Sequence, residues 1–305
     1  MWPNPRVPYE LSSNRKKLSP PNGKSIIVHV VMNIEYWPFD KPMPRGILPP
    51  PHGKKSDPPD LPNYSWVEYG MRVGLPRVMS LLKENNVPVS TFINAQVAEI
   101  YPSAFEEICK LNWELVGHGW YQESLRVAEN EEEIIKKSLK FLRAVSGQDV
   151  RSWFGPGGGE TEITPELLKI NGIEFLHDWL IDELPCWMRT KQGPLLALPY
   201  TFELNDVPIW TVQNNSCDEM YKRFNATMDI FNEEKKNNTK ILTLALHPHI
   251  IGVPQNFFYF KKIIEELNKR NDIIFMTSSQ IGDWYVKEEG TNGEAIMPYL
   301  ESPPD

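Results

Sequence analysis

Cysteine is scarce. The 305 residues include three, Cys109, Cys186 and Cys217, widely spaced and without a Cys-x-x-Cys pair. That argues against a disulfide framework or a thiolate zinc cluster, and reads as reduced thiols in a cytosolic protein. Long apolar runs are missing as well: none approaches the roughly 18 residues of a membrane span. The polar, Pro-rich stretch Met1–Gly23 has no apolar signal core, so a cytoplasmic location is expected. Nor is positive charge in excess. The 32 Lys and Arg against 40 Asp and Glu leave a net charge of −8 and a pI near 5.4. Nucleic acid and anionic membranes are poor partners for such a chain, and a small-molecule substrate is expected instead. Phosphate-binding signatures are absent too. Asn33-Ile34-Glu35 stands where a dinucleotide fold has its Gly-rich turn, and no Gly-Lys-Ser/Thr follows the Gly155–Gly159 run. No cofactor is called for.

What is abundant is proline, 28 in all, with nine between Tyr36 and Ser65. A stretch of that length without helix or strand pattern is uncommon inside a compact domain. Because it starts directly after a strong strand and carries Trp37, Phe39, Ile47 and Leu48, it reads as a loop (36–65). Its expected place is the mouth of the fold or a subunit contact in a homo-oligomer. Residues 1–24 read as an N-terminal extension of one domain spanning 1–305. From Ser65 onward, apolar runs of strand length alternate with amphipathic helical stretches. Strands are expected at 25–33, 89–94, 113–117, 150–154, 173–180, 195–200, 209–213, 241–246 and 273–277. Helices are expected at 67–84, 102–111, 131–145, 164–171, 218–234, 256–269 and 280–286. The pattern predicts an α/β fold, a distorted (β/α) barrel of seven to eight parallel strands. An open doubly wound sheet is the runner-up.

In such barrels the chemistry sits at the C-terminal ends of the strands. Those ends carry Asn33 and Glu35, His118, the glycine run containing Gly157, Asp178, and His247. A carboxylate and two imidazoles ending different strands would converge on one pocket. An acid after an apolar strand is also expensive to bury without a purpose. The plainer readings stand beside these. His29 is a core histidine, Asp178 a cap or ion-pair partner, the glycine run a turn, and Trp120 packing under its loop. As functional parts, the glycine run would bind a carbonyl oxygen through its N–H groups, and Trp120 would line a ligand pocket.

The chain resembles the polysaccharide deacetylase superfamily, the NodB-homology fold, from about Ser25 to about Tyr285. The resemblance is to the branch of the metal-independent allantoinases and related cytosolic deacetylases. It rests on the order and spacing of Asn33-Ile-Glu35, Tyr69-Gly-Met-Arg72-Val-Gly74, Gly117-His-Gly-Trp120, Trp153-Phe-Gly-Pro-Gly157 with Glu160-Thr161, Asp178-Trp179, Leu198-Pro-Tyr200 with Glu203-Leu-Asn-Asp206, and Leu246-His-Pro248 with Gly252-x-Pro254. The family's deacetylases hold a divalent metal with an Asp and a His-x-x-x-His pair, beside a base Asp and a C-terminal His acid. Carried over, the base position is Asn33, the metal Asp is Glu35, the two His are His118 and Gln122, and the acid is His247. A zinc site needs about three good protein ligands, so no metal is expected.

The resemblance therefore implies a hydrolase of non-peptide C–N bonds, opening a cyclic amide or ureide such as allantoin. Glu35, His118 and His247 are its expected catalytic residues. Asn33, Arg72, Trp120, Gly157 and Asp178 are expected to contact the substrate. Two other readings remain open: a metal-dependent polysaccharide N-deacetylase, and an inactive sugar- or ureide-binding barrel.

Overall fold

The computed structural model describes residues 3–47 and 58–301, with side chains described to residue 297. Its sheet begins with β1 (Ile26–Ile34), all nine residues of which are buried. A strand so rich in Ile and Val, covered on both faces, is central to a parallel sheet. There follow α1 (Leu61–Tyr69), a π-helical turn (Gly70–Gly74), α2 (Leu75–Glu84), β2 (Ser90–Ile93), α3 (Val97–Ile100), α4 (Pro102–Lys110) and β3 (Glu114–Gly117). Next come α5 (Glu131–Ser146), β4 (Ser152–Trp153), α6 (Thr164–Ile170), β5 (Phe175–Leu176), β6 (Cys186–Thr190), β7 (Gly193–Ala197) and α7 (Glu219–Glu234). The chain ends with β8 (Lys240–Leu246), α8 (Pro248–Ile251), α9 (Pro254–Asn268), β9 (Ile273–Phe275), α10 (Ser278–Glu289) and a final 3-10 stretch.

The strand order is β6-β7-β5-β4-β3-β2-β1-β8, with β9 also paired to β1. Eight strands run parallel, as the alternating pattern predicts; β6 is antiparallel to β7. The sheet curls, and a bridge from Asn205 to Ala245 brings the chain after β7 alongside β8. Local signals agree with the sequence. Asn130 caps α5 by accepting the N–H of Glu133, three glutamates occupy its first turn, and Gly147 ends it in the left-handed region. Three expected strands change. The 150–154 and 173–180 strands each shorten to two residues, and 209–212 is helical, lying in the π-turn Val207–Val212. The β-branched content there favoured a strand, but Pro208 at the start of the turn and a buried Ile209 suit a helical entry. Of the 36–65 loop, residues 48–57 lie outside the described residues. Residues 36–47 leave the C-terminal end of β1, and Leu61 already begins α1. Among the described residues no helix is long and apolar enough to cross a membrane.

Alternation along β1 sorts its side chains. Val28, Val30, Met32 and Ile34 pack outward against the helices, whereas Val31 joins Phe92, Val116, Phe154, Tyr200 and Ala245 in an inner cluster. The same inner face carries His29, Asn33 and then Glu35. His29 Nε2 meets Ser90 Oγ at 3.0 Å and Ser278 Oγ at 3.2 Å, and its ring stacks on His177, 5.5 Å between centroids. His177 in turn meets Ser278 Oγ at 2.9 Å. Burial holds both imidazoles below the usual range, His29 at about 3.

Both are therefore neutral in the fold and must gain protons that the unfolded chain binds near pH 6.5. Stability should fall as pH drops from about 6.5 toward about 3, with His29 contributing up to ~1.4 kcal/mol per pH unit and His177 acting in the same direction. His29→Gln should flatten that dependence relative to the wild type, read by denaturant unfolding at pH 7.5, 6 and 5. Equal slopes in the two proteins would show that the pair does not set acid stability.

Candidate active site

Three strand ends bring together the groups expected from the sequence. Glu35 Oε1 lies 3.4 Å from His247 Nε2 and 3.7 Å from His118 Nε2. All three side chains are buried. Glu35 is held from its other side as well: Trp37 Nε1 donates to Oε2 at 2.7 Å, and Gln122 Nε2 donates to Oε1 at 2.9 Å. His247 is fixed by Asp206, whose carboxylate accepts the backbone N–H of His247 at 2.6 Å and lies 2.7 Å from Nδ1. His118 Nδ1 is 2.6 Å from the carbonyl oxygen of Phe154, so Nδ1 is the donor and Nε2 is left facing Glu35 without a hydrogen-bond partner. The His118 ring stacks parallel on Phe154.

These contacts set the charges. Burial alone would raise the Glu35 carboxyl, but the imidazoles of His118 and His247 beside it outweigh burial and hold the group well below the carboxylate range. Burial alone would lower His247. Asp206, by charge and hydrogen bond, and then Glu35 reverse that and lift the imidazole to about 9. At neutral pH the site holds a carboxylate and an imidazolium in contact.

Asn33, one step down the inner face, donates to Leu246 O at 3.1 Å, with Tyr200 Oη beside it. Asp178 accepts the Gly155 N–H through both carboxylate oxygens, at 2.9 and 3.0 Å. Burial and the nearby Glu160 push the Asp178 carboxyl up, while burial lifts Glu160 to about 7; the two acids titrate as a pair. Gly157 sits exposed in the turn after β4 at φ +67°, and the N–H groups of Gly155, Gly158 and Gly159 are already bonded within the protein.

Arg72 and Trp120 are not brought to the cluster. Arg72, expected to orient substrate, lies on the outer face of the π-turn with its side chain 77% exposed and paired with Glu68. Arg45, on the loop after β1, is close enough to bear on the charges of Asp206 and His249. Trp120 packs against Phe141 of α5 beneath the Lys137 ammonium.

Asp206 was missed as a site residue, although the Leu204-Asn-Asp206 signal was visible. The glycines around Arg72 matter more than the arginine. A Cβ on Gly74 would stand 2.0 Å from Pro248 O, and one on Gly70 would stand 2.5 Å from His249 N. These glycines let α8, and so His247 just before it, seat against the π-turn.

Residues 60–176 match the family model for polysaccharide deacetylase. A Schizosaccharomyces pombe protein named as a candidate polysaccharide deacetylase is 29% identical over 246 residues, covering 73% of this chain and 76% of that one. The peptidoglycan deacetylase of Helicobacter pylori is 23% identical over 247 residues, 70% of this chain and 84% of the other. The solved structure of PuuE allantoinase superposes with a TM-score of 0.81 at 23% identity, over 94% of this chain and 98% of its own.

The cluster around Glu35 does not present the donor set of a tetrahedral metal site. A carboxylate only accepts, so Gln122 must turn its NH₂ rather than its oxygen toward Glu35, and its Oε1 faces Asn94 Nδ2. Both Glu35 oxygens are engaged by protein donors. Among the described residues, no group of three or more His, Cys, Asp or Glu is arranged to hold a metal ion.

Proposed function

We propose that the chain hydrolyses a non-peptide C–N bond, opening a small cyclic amide or ureide of the allantoin type, with protein groups in place of a metal. The observation that carries this reading is Glu35 Oε1 standing between two imidazoles of different standing. His118 offers an unpartnered Nε2, and His247 is lifted to about 9 by Asp206 and Glu35 after burial is overcome. In this mechanism His118 Nε2 takes a proton from water as the water oxygen bonds to the substrate's carbonyl carbon. The C–N bond then breaks, and His247 gives its proton to the leaving nitrogen. His118 has gained a proton and His247 has lost one. Glu35 Oε1, in reach of both, offers the route by which the proton returns, and its low pKa keeps it from trapping that proton. The imidazolium also stabilises the oxyanion before the bond breaks.

The small-substrate class is supported by the enclosure of the site. Glu35, His118 and His247 are each at most 6% exposed, and Trp37, Phe154 and Tyr200 are close by, a setting suited to a flat ring. The PuuE allantoinase likeness points the same way. The test is turnover of a panel of purified substrates: allantoin, hydantoins and cyclic imides against N-acetylglucosamine oligomers. Ring opening with oligomers untouched is the expected result. Deacetylation of the oligomers alone would overturn the reading.

A further inference from the structure

The peptide unit joining Phe154 to Gly155 is bonded on both of its faces. Its carbonyl oxygen lies 2.6 Å from His118 Nδ1, and its N–H is accepted by Asp178 at 2.9 and 3.0 Å. A peptide unit is a rigid plane, so fixing the N–H fixes the carbonyl. An acceptor on the N–H also makes that oxygen a better acceptor. The residue must be glycine for the approach, because a Cβ at position 155 would stand 2.9 Å from Asp178 Oδ1. The carbonyl in turn dictates which nitrogen of His118 carries the proton, and Nε2 is left unpartnered toward Glu35.

We propose that Asp178 is a positioning residue that, through the Phe154–Gly155 peptide, locks His118 in the Nδ1–H tautomer with Nε2 facing Glu35. Its effect on turnover rests on the C–N hydrolase reading above; its effect on the tautomer does not. Asp178 therefore acts on the reacting water only through His118 and need not touch substrate.

The test pairs two readouts on wild type, Asp178→Asn and Asp178→Ala. Long-range ¹H–¹⁵N correlation spectra of labelled protein should show His118 as the pure Nδ1–H form in the wild type and a mixture of tautomers in Asp178→Ala. Asp178→Asn, whose amide oxygen still accepts one bond, should lie between them. With a turned-over substrate, kcat should fall about tenfold or more in Asp178→Ala, the scale of a displaced general base, with KM within threefold. A pure Nδ1–H tautomer in both variants would overturn the proposal, and so would a raised KM at constant kcat, which belongs to a substrate contact. Should Asp178→Ala fail to fold, Asp178→Asn alone decides. A shifted tautomer in a protein that turns over no panel substrate would support this proposal and sink the hydrolase reading instead.

Discussion

His247→Ala should lower kcat by two to four orders of magnitude, the scale at which a positioned acid–base group contributes. His247 is the group in contact with both Asp206 and Glu35, and its loss removes the proton for the leaving nitrogen and leaves two buried carboxylates without their cation. Its charge also fixes the pH profile. The imidazole is lifted to about 9 despite burial, so the acid form prevails at neutral pH, and kcat/KM should decline on the alkaline side through about 9. Asp206→Asn removes the larger part of that lift and should move the alkaline limb to lower pH. A His247→Ala loss below tenfold would make the residue a binding group. An alkaline limb unmoved in Asp206→Asn would separate His247 from the acid role.

Gly74→Ala should be the most damaging single-methyl change away from the catalytic groups. The new Cβ would stand 2.0 Å from Pro248 O, while Gly252 on the facing segment already stands too close to Gly74 for a Cβ of its own. Either the π-turn or α8 must move. Overpacking of this kind costs about 1–3 kcal/mol, sometimes more. Because α8 follows His247 directly, the displacement should also cut kcat by at least tenfold, an acid–base group held off its geometry. The control is Gly147→Ala, at φ +69° with open space around it. It should lose about 1 kcal/mol from backbone strain alone and keep full activity. Melting temperature and kcat measured on both variants check the pair. Equal behaviour of the two would mean that the glycine contact does not seat His247.

Much of this arrangement was legible in the sequence because β1 obeys a period of two. Once Ile26–Ile34 is a strand covered on both faces, His29, Asn33 and Glu35 must share its inner face. The barrel rule then places the ends of β3 and β8, with His118 and His247, beside Glu35. Asp206 could not be reached that way. It precedes a π-turn rather than ending a strand, and only the bridge from Asn205 to Ala245 brings it to His247. Arg72 was expected to contact substrate, yet the Tyr69–Gly74 segment is built around glycines whose purpose is visible only in the contact with α8. The orientation of Gln122 was equally hidden, because the sequence states the residue but not which end of its amide faces Glu35.

The most direct test of the central claim is turnover by protein stripped with a chelator, with its metal content measured in the same sample. With Gln122 offering its NH₂ and both Glu35 oxygens occupied by protein donors, the account expects well under one metal per chain. It also expects ring-opening activity unchanged by the chelator. Stoichiometric divalent metal, with activity abolished by the chelator and restored by adding the ion, would contradict it and put the N-deacetylase reading ahead.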